Sequence, residues 1–269
     1  MGILSGKFTK LSLAVAGLAL SASASLGADL IEPPVYSPPE VVPPAVGGWY
    51  LRGDIGMSNQ QLHGGLYNVL YDSTDIVDHV IPGHFDSAPT FQVGIGYQVS
   101  DWLRTDFTAQ YRGKASFNAL DRYETTDDSD PLTFDGTDEY TAKKSEWLFM
   151  ANAYWDMGTW SGITPYVGAG IGASRVTISD FQDVNTPTAG VAYGGTHSEW
   201  NLAWALHAGM GIQVNDRVTL DLGYSYLHLG DGASGDLIPY AGANTINNPM
   251  EFNSLTSHDF KFGLRYALN

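Results

Sequence analysis

The sequence predicts an all-β fold, an eight-stranded antiparallel up-and-down transmembrane β-barrel, and three observations carry that prediction. Apolar and polar residues alternate with period two in eight separate segments; the connections between them are short and long in turn; and the apolar parity is much bulkier than the opposite one. The 269 residues include 31 Gly, 15 Tyr, 7 Trp and no Cys, with 43% hydrophobic residues, which is not the composition of a disordered chain. A formal charge of −16 argues against a nucleic-acid partner, since phosphate binding needs a basic stripe and none of the thirteen Lys and Arg residues cluster along the sequence. Without cysteine there are no disulfides, no thiol chemistry and no cysteine-ligated zinc.

Residues 1–28 read as a secretory signal peptide. Lys7 and Lys10 precede the apolar run Leu11 to Leu20, which the small-residue tract Ser21 to Ser25 follows. That apolar core is too short for a helical span of about 20 residues. Residues 29–47, with Pro33, Pro34, Pro38, Pro39, Pro43 and Pro44, read as an extended polyproline lead-in. Residues 48–269 form the expected barrel.

Its first strand is announced by Trp49, Leu51, Ile55 and Met57, with Tyr50, Arg52, Asp54 and Gly56 on the other parity. The pattern recurs over Phe91–Val99, Leu103–Tyr111, Trp147–Met157, Pro165–Ala173, Trp200–Val214, Val218–Tyr226 and Phe260–Leu268. Most of these segments have the length that a tilted strand needs to cross a bilayer. Short turns are expected around residues 100–102, 158–162 and 215–216, and long loops at 59–89, 118–142, 177–199 and 231–256. Eight strands arranged in this way can close first beside last, leaving no exposed edge.

Alternation alone does not say which face points inward. An eight-stranded lumen is only wide enough to be filled by side chains, so the bulky parity belongs outside. Aromatic residues also gather at the strand ends, and Trp49, Trp102, Trp147, Trp155, Trp200, Tyr226 and Tyr266 are expected in two interfacial girdles.

The inward parity then carries Arg52, Asp54, Arg104, Asp106, Arg112, Glu146, Asp221, Lys261 and Arg265 on five strands. The other wall carries Gly168, Gly170, Gly172, Ala203, Ala205, Gly209 and Gly211. These charges are expected to pair across the lumen as a polar plug, because an isolated buried charge costs several kcal/mol. A narrow conducting path along the same residues is the alternative. The run Gly168-Ala169-Gly170-Ile171-Gly172 does not read as a nucleotide loop, because no helix pattern follows it.

Of the 29 acidic residues, 18 lie in the four long connections, where Arg122 is the only Lys or Arg. The densest part, Asp121 to Glu139, lacks the spacing of a helical calcium loop and reads as a solvated, self-repelling loop, with divalent-cation bridging to anionic headgroups as the alternative. His207 is expected to hydrogen-bond within the lumen. His228 is the only residue that could act as a catalytic base, and Ser225 lies on the opposite parity, so no enzyme and no cofactor are expected.

Four segments, Gly48–Gly56, Thr164–Gly172, Leu222–Tyr226 and Phe260–Tyr266, resemble the small outer-membrane β-barrel surface proteins of alphaproteobacteria, a porin-family group related to the OmpA membrane domain. The likeness covers the strands and leaves the loops and lead-in unmatched. It implies insertion by the outer-membrane assembly machinery and contact with outer-membrane lipid and lipopolysaccharide. It also implies a role in envelope integrity or in binding a host or environmental surface ligand. The resembling family commonly ends on an aromatic residue, whereas this chain ends Tyr266-Ala267-Leu268-Asn269. The expected function is that of an outer-membrane structural and surface protein, with a narrow porin-like channel as the alternative.

Overall fold

The computed structural model describes residues 47–69, 76–125, 134–186, 189–240, 242 and 245–268. The expected signal peptide and nearly all of the proline-rich lead-in lie outside these residues, as do Asp127, Asp128 and Asp130. The strands are β1 (Trp49–Leu62), β2 (Leu66–Tyr67), β3 (Ile76–Phe85), β4 (Ala88–Ser100), β5 (Leu103–Thr125), β6 (Phe134–Asp156), β7 (Ile163–Asn185), β8 (Gly190–Gly194), β9 (His197–Gln213), β10 (Val218–Pro239) and β11 (Pro249–Ala267). Eight of them form a closed antiparallel ring in the order β1-β4-β5-β6-β7-β9-β10-β11, sealed by pairing of β1 with β11 from Tyr50↔Ala267 to Leu62↔Leu255. The three additional strands lie off the ring: β2 pairs with β11, β3 with β5, and β8 with β7 and β10.

All three short turns fall where the sequence places them, at one end of the ring. The Asn215 side-chain carbonyl accepts the backbone N–H groups of Arg217 and Val218 at 2.9 Å each, an Asx turn that lets β9 reverse into β10. In the turn after β6, Gly158, Ser161 and Gly162 all have positive φ.

At the opposite end the structure departs from the expectation. Much of the acid-rich sequence expected as loops is strand: β5, β6 and β7 run 23 residues each and β10 runs 22. On β6, Trp155 and Trp147 bracket the apolar outer belt. The eight residue steps from one to the other span about 27 Å of strand, or roughly 20 Å of height at the tilt of such barrels. The strands therefore continue past the belt as a crown.

Bulges at the base of the crown reverse which parity faces inward. In β5 the register slips between Arg112 and Ala115, so Lys114 is exposed while Ala115 and Phe117 are buried. In β7, Asp180 has φ 54° and turns Phe181 inward; in β11, Ser254 has φ 55° and turns Phe252 inward. Phe117, Phe181, Phe252, Phe85 and Tyr140 thus meet inside the crown, with centroid separations of 4.9 Å for Phe85–Phe117, 5.0 Å for Phe117–Phe252 and 6.2 Å for Phe181–Phe252. Leu229, Ile178 and Leu255, each fully buried, complete this second core. Phe252→Ala is expected to lower stability by about 3–5 kcal/mol, seen as an earlier urea midpoint of the detergent-refolded barrel; an unchanged midpoint would contradict a packed crown.

Candidate functional site

All nine charged residues expected in the lumen point into it, and they lie in three levels. Nearest the short turns, Arg104 Nε donates to Asp156 at 2.9 Å, and its guanidinium lies between the rings of Tyr154 (4.2 Å) and Tyr166 (4.4 Å). Arg265 donates to both oxygens of Asp221, at 2.6 and 3.0 Å. At mid-height Arg52 forks onto Asp54 at 2.7 and 2.9 Å and reaches Asp106 at 2.8 Å. Asp106 also accepts from Asn152 (2.8 Å), and Asp54 accepts from Gln92 (2.8 Å), whose own carbonyl accepts from Lys261 at 3.3 Å. His207 is lodged as expected, between Ser225 (2.8 Å) and the Asn152 amide oxygen (3.1 Å). That oxygen only accepts, so the His207 proton sits on Nε2.

Beneath the crown, fully buried Arg112 donates to Glu146 at 2.7 Å, to Ser257 at 2.7 Å and to Asp259. Lys144 pairs with Glu146 and sits 4.7 Å above the Phe85 ring, so this level touches the aromatic core directly. Lys144, Asp156 and Asp259 were not among the expected lumen charges. Adding one cation to five and two anions to four gives six of each sign in the three levels. The space left among the mid-height groups is about 20 Å3, enough for roughly one water.

The glycine wall is filled by its neighbours. Neighbouring strands lean over it: a Cβ at Gly168 would strike Tyr154, one at Gly170 would strike Asn152, one at Gly172 the backbone and sulfur of the Phe149–Met150 pair, and one at Gly209 Tyr166. Rings and amides therefore take up most of the room, and at Gly211 the Arg265 guanidinium does.

On the outer surface Trp49, Trp102, Trp147, Trp155, Trp200 and Tyr266 are all exposed, between 39% and 61%, and Tyr226 lies on the same face against Trp204 and His258. Trp147, Phe149 and Trp200 form a stacked run across β6 and β9. His228 stacks on Trp204 with planes 4° apart, whereas Ser225 faces the lumen, bonded to His207. Among the described residues no group of His, Asp and Glu is placed to hold a metal ion.

The crown brings acids together instead of spreading them through solvent. Asp121 stands opposite Asp138 in the β5–β6 pairing, and Asp183 lies on the next strand. Burial, with the Asp183 charge behind it, raises the Asp138 carboxyl to about 6. Asp121 is joined by His79 at 2.6 Å.

One family model takes in the whole strand set. Residues 11–267 fit the outer membrane protein beta-barrel domain. The chain belongs to that family. It is therefore an outer-membrane β-barrel, and its apolar belt faces lipid. An uncharacterized protein of Brucella suis is 33% identical over 95% of this chain and 97% of its own length. Outer membrane protein PagN of Salmonella typhimurium is 25% identical, over 82% of this chain and 90% of its own. A candidate adhesin of Rickettsia prowazekii is 24% identical, over 82% and 87%. Among solved structures, the outer membrane protein OprG from Pseudomonas aeruginosa is 14% identical over 83% of this chain and 97% of its own, with a TM-score of 0.47.

Arg112→Met leaves Glu146 and Asp259 buried without the cation they share, and is expected to cost about 3–5 kcal/mol; chemical denaturation of the folded barrel measures this, and Arg112→Met with Asp259→Asn should recover part of the loss. A carboxyl whose folded pKa is raised holds its proton longer in the folded state, so the Asp138 contribution to stability is present below the ordinary carboxylate range and fades as pH rises through about 6. Side-chain NMR titration of Asp138 should show this midpoint, and Asp183→Asn should move it down. An ordinary Asp138 midpoint in the intact protein would contradict the acid pairing.

Proposed function

We propose that the chain is a non-enzymatic structural and surface-interaction protein whose lumen is closed to solutes, and whose acidic crown projects outward from the cell with both termini in the periplasm. The single observation that carries this reading is the continuity of the filling: three levels of paired charge rise directly into the Phe85–Phe117–Phe252 core, and Lys144 touches both. A solute would have to break buried ion pairs and then part an aromatic core, and each step costs several kcal/mol. Similarity to PagN and to the Rickettsia candidate adhesin supports a surface role. The crown supports it as well, since it gives that role a rigid platform instead of loose loops. Insertion by the outer-membrane assembly machinery and contact with lipopolysaccharide belong to the same reading.

Purified wild-type protein in planar bilayers is expected to give no reproducible unitary conductance. Discrete, repeatable steps from the wild type would overturn the closed-lumen reading in favour of a narrow channel.

A further inference from the structure

We propose that the outward face of β5, β6 and β7, on the crown side of the aromatic belt, binds an outer-leaflet glycolipid that carries two phosphates. The proposal rests on the crown facing outward.

The chain has 13 Lys and Arg residues. Two precede residue 28 and six line the lumen, which leaves five: Lys114, Arg122, Lys143, Arg175 and Arg217. Three of the five, Lys114, Lys143 and Arg175, are exposed on this one face of three neighbouring strands. In a protein with such an acid excess, that placement stands out. Asp180 pairs with Lys143 at 3.0 Å and both groups are about half exposed; Lys114 lies near enough for its charge to act on the same carboxylate. Neither Lys114 nor Arg175 has an ion-pair partner among the described residues.

The strand register shows what these cations surround. Arg175 stands between Trp147 on β6 and Trp200 on β9, at the level of the aromatic belt. One row nearer the crown, Ser145, Thr177 and Ser198 lie side by side, with Thr177 and Ser198 hydroxyls 2.9 Å apart. In the next row Ser116, Lys143 and Ser179 align. A field of hydroxyls is thus bordered by cations, the donor set that phosphate oxygens accept from. Lys143 and Arg175 are four residues and one strand apart, about 14 Å between backbones. With its cations spread along the strands in this way, the face can engage a molecule carrying two phosphates at both ends.

Toward the membrane centre the same strands become apolar at once. Phe149, Ala173 and Leu202 align in register; Leu202 is 69% exposed, and Ile171, beside that row, is 59% exposed. Over the small Ala173 the Phe149 and Trp200 rings come within 6.1 Å of each other, an apolar surface against which acyl chain can lie. Cations and hydroxyls at headgroup height above an exposed apolar surface fit a phosphorylated lipid and not a free anion, because an anion alone would use only the upper half.

The test uses the folded full-length barrel in detergent, analysed by native mass spectrometry with three additions: diphosphorylated lipid A, the same lipid with its phosphates removed, and inorganic phosphate as competitor. We expect one diphosphorylated lipid per barrel and markedly weaker retention of the dephosphorylated form. The K114Q/K143Q/R175Q variant should lose on the order of a hundredfold in affinity, while R217Q at the opposite end leaves it unchanged. Equal retention of both lipids, or an unaffected triple variant, would overturn the proposal. Displacement of the lipid by millimolar inorganic phosphate would instead make this a free-anion site and would also overturn it. Should the triple variant fold poorly, R175Q is compared with R175K, and recovery of binding in R175K alone supports the site. Protease access to the crown on intact cells tests the orientation separately.

Discussion

A bilayer offers no hydrogen-bonding partner to a backbone, so every N–H and C=O in the spanning region has to be satisfied by the chain itself. The β1–β11 pairing achieves this by joining the two ends of the domain over thirteen aligned residue pairs. Much else follows from that closure. The ring admits only eight strands' worth of interior, so what lies inside must pack or pair, and what is bulky must face outward. The two populations of side chains are therefore separated by geometry before any particular contact is considered.

Inside, every lumen charge but that of Lys261, which meets the Gln92 amide, is ion-paired: Arg112 holds two carboxylates, Asp54 and Asp106 share Arg52, and Arg104 is pressed between two tyrosine rings. Truncating one partner of such a group costs more than the pair contributes, because the other is left desolvated. The aromatic core above adds a different kind of rigidity, one that depends on close packing and not on charge. Together they make the crown and the membrane ring one body.

Much of this was legible in the sequence. Period-two alternation located all eight ring strands, and parity placed all nine expected charges in the lumen. What escaped was the work of bulges. A bulge is one extra residue in a strand with no side-chain signature of its own, yet it reverses the parity of everything beyond it. Carried past Gly113, the alternation of β5 would put Phe117 on the outside. The same error applies to Phe181 beyond Asp180 and to Phe252 beyond Ser254. Acid-rich sequence also disguised the strand extensions, because a residue's preference for solvent says little about whether its backbone is paired. Asp259 and Lys144 were missed for a simpler reason: they sit just before the points where alternation first becomes visible. The outward cations Lys114, Lys143 and Arg175 all lie beyond those boundaries, so only strand pairing brings them together.

The central claim is that the tryptophans of the two belts touch lipid while the charged side chains fill the ring. Depth-resolved quenching of tryptophan fluorescence by brominated phospholipids, in vesicles containing the folded chain, tests this most directly. The account predicts strong quenching by bromine placed high on the acyl chains, weaker quenching from bromine near the bilayer centre, and little quenching by acrylamide in the water. Efficient acrylamide quenching together with insensitivity to every brominated lipid would contradict it.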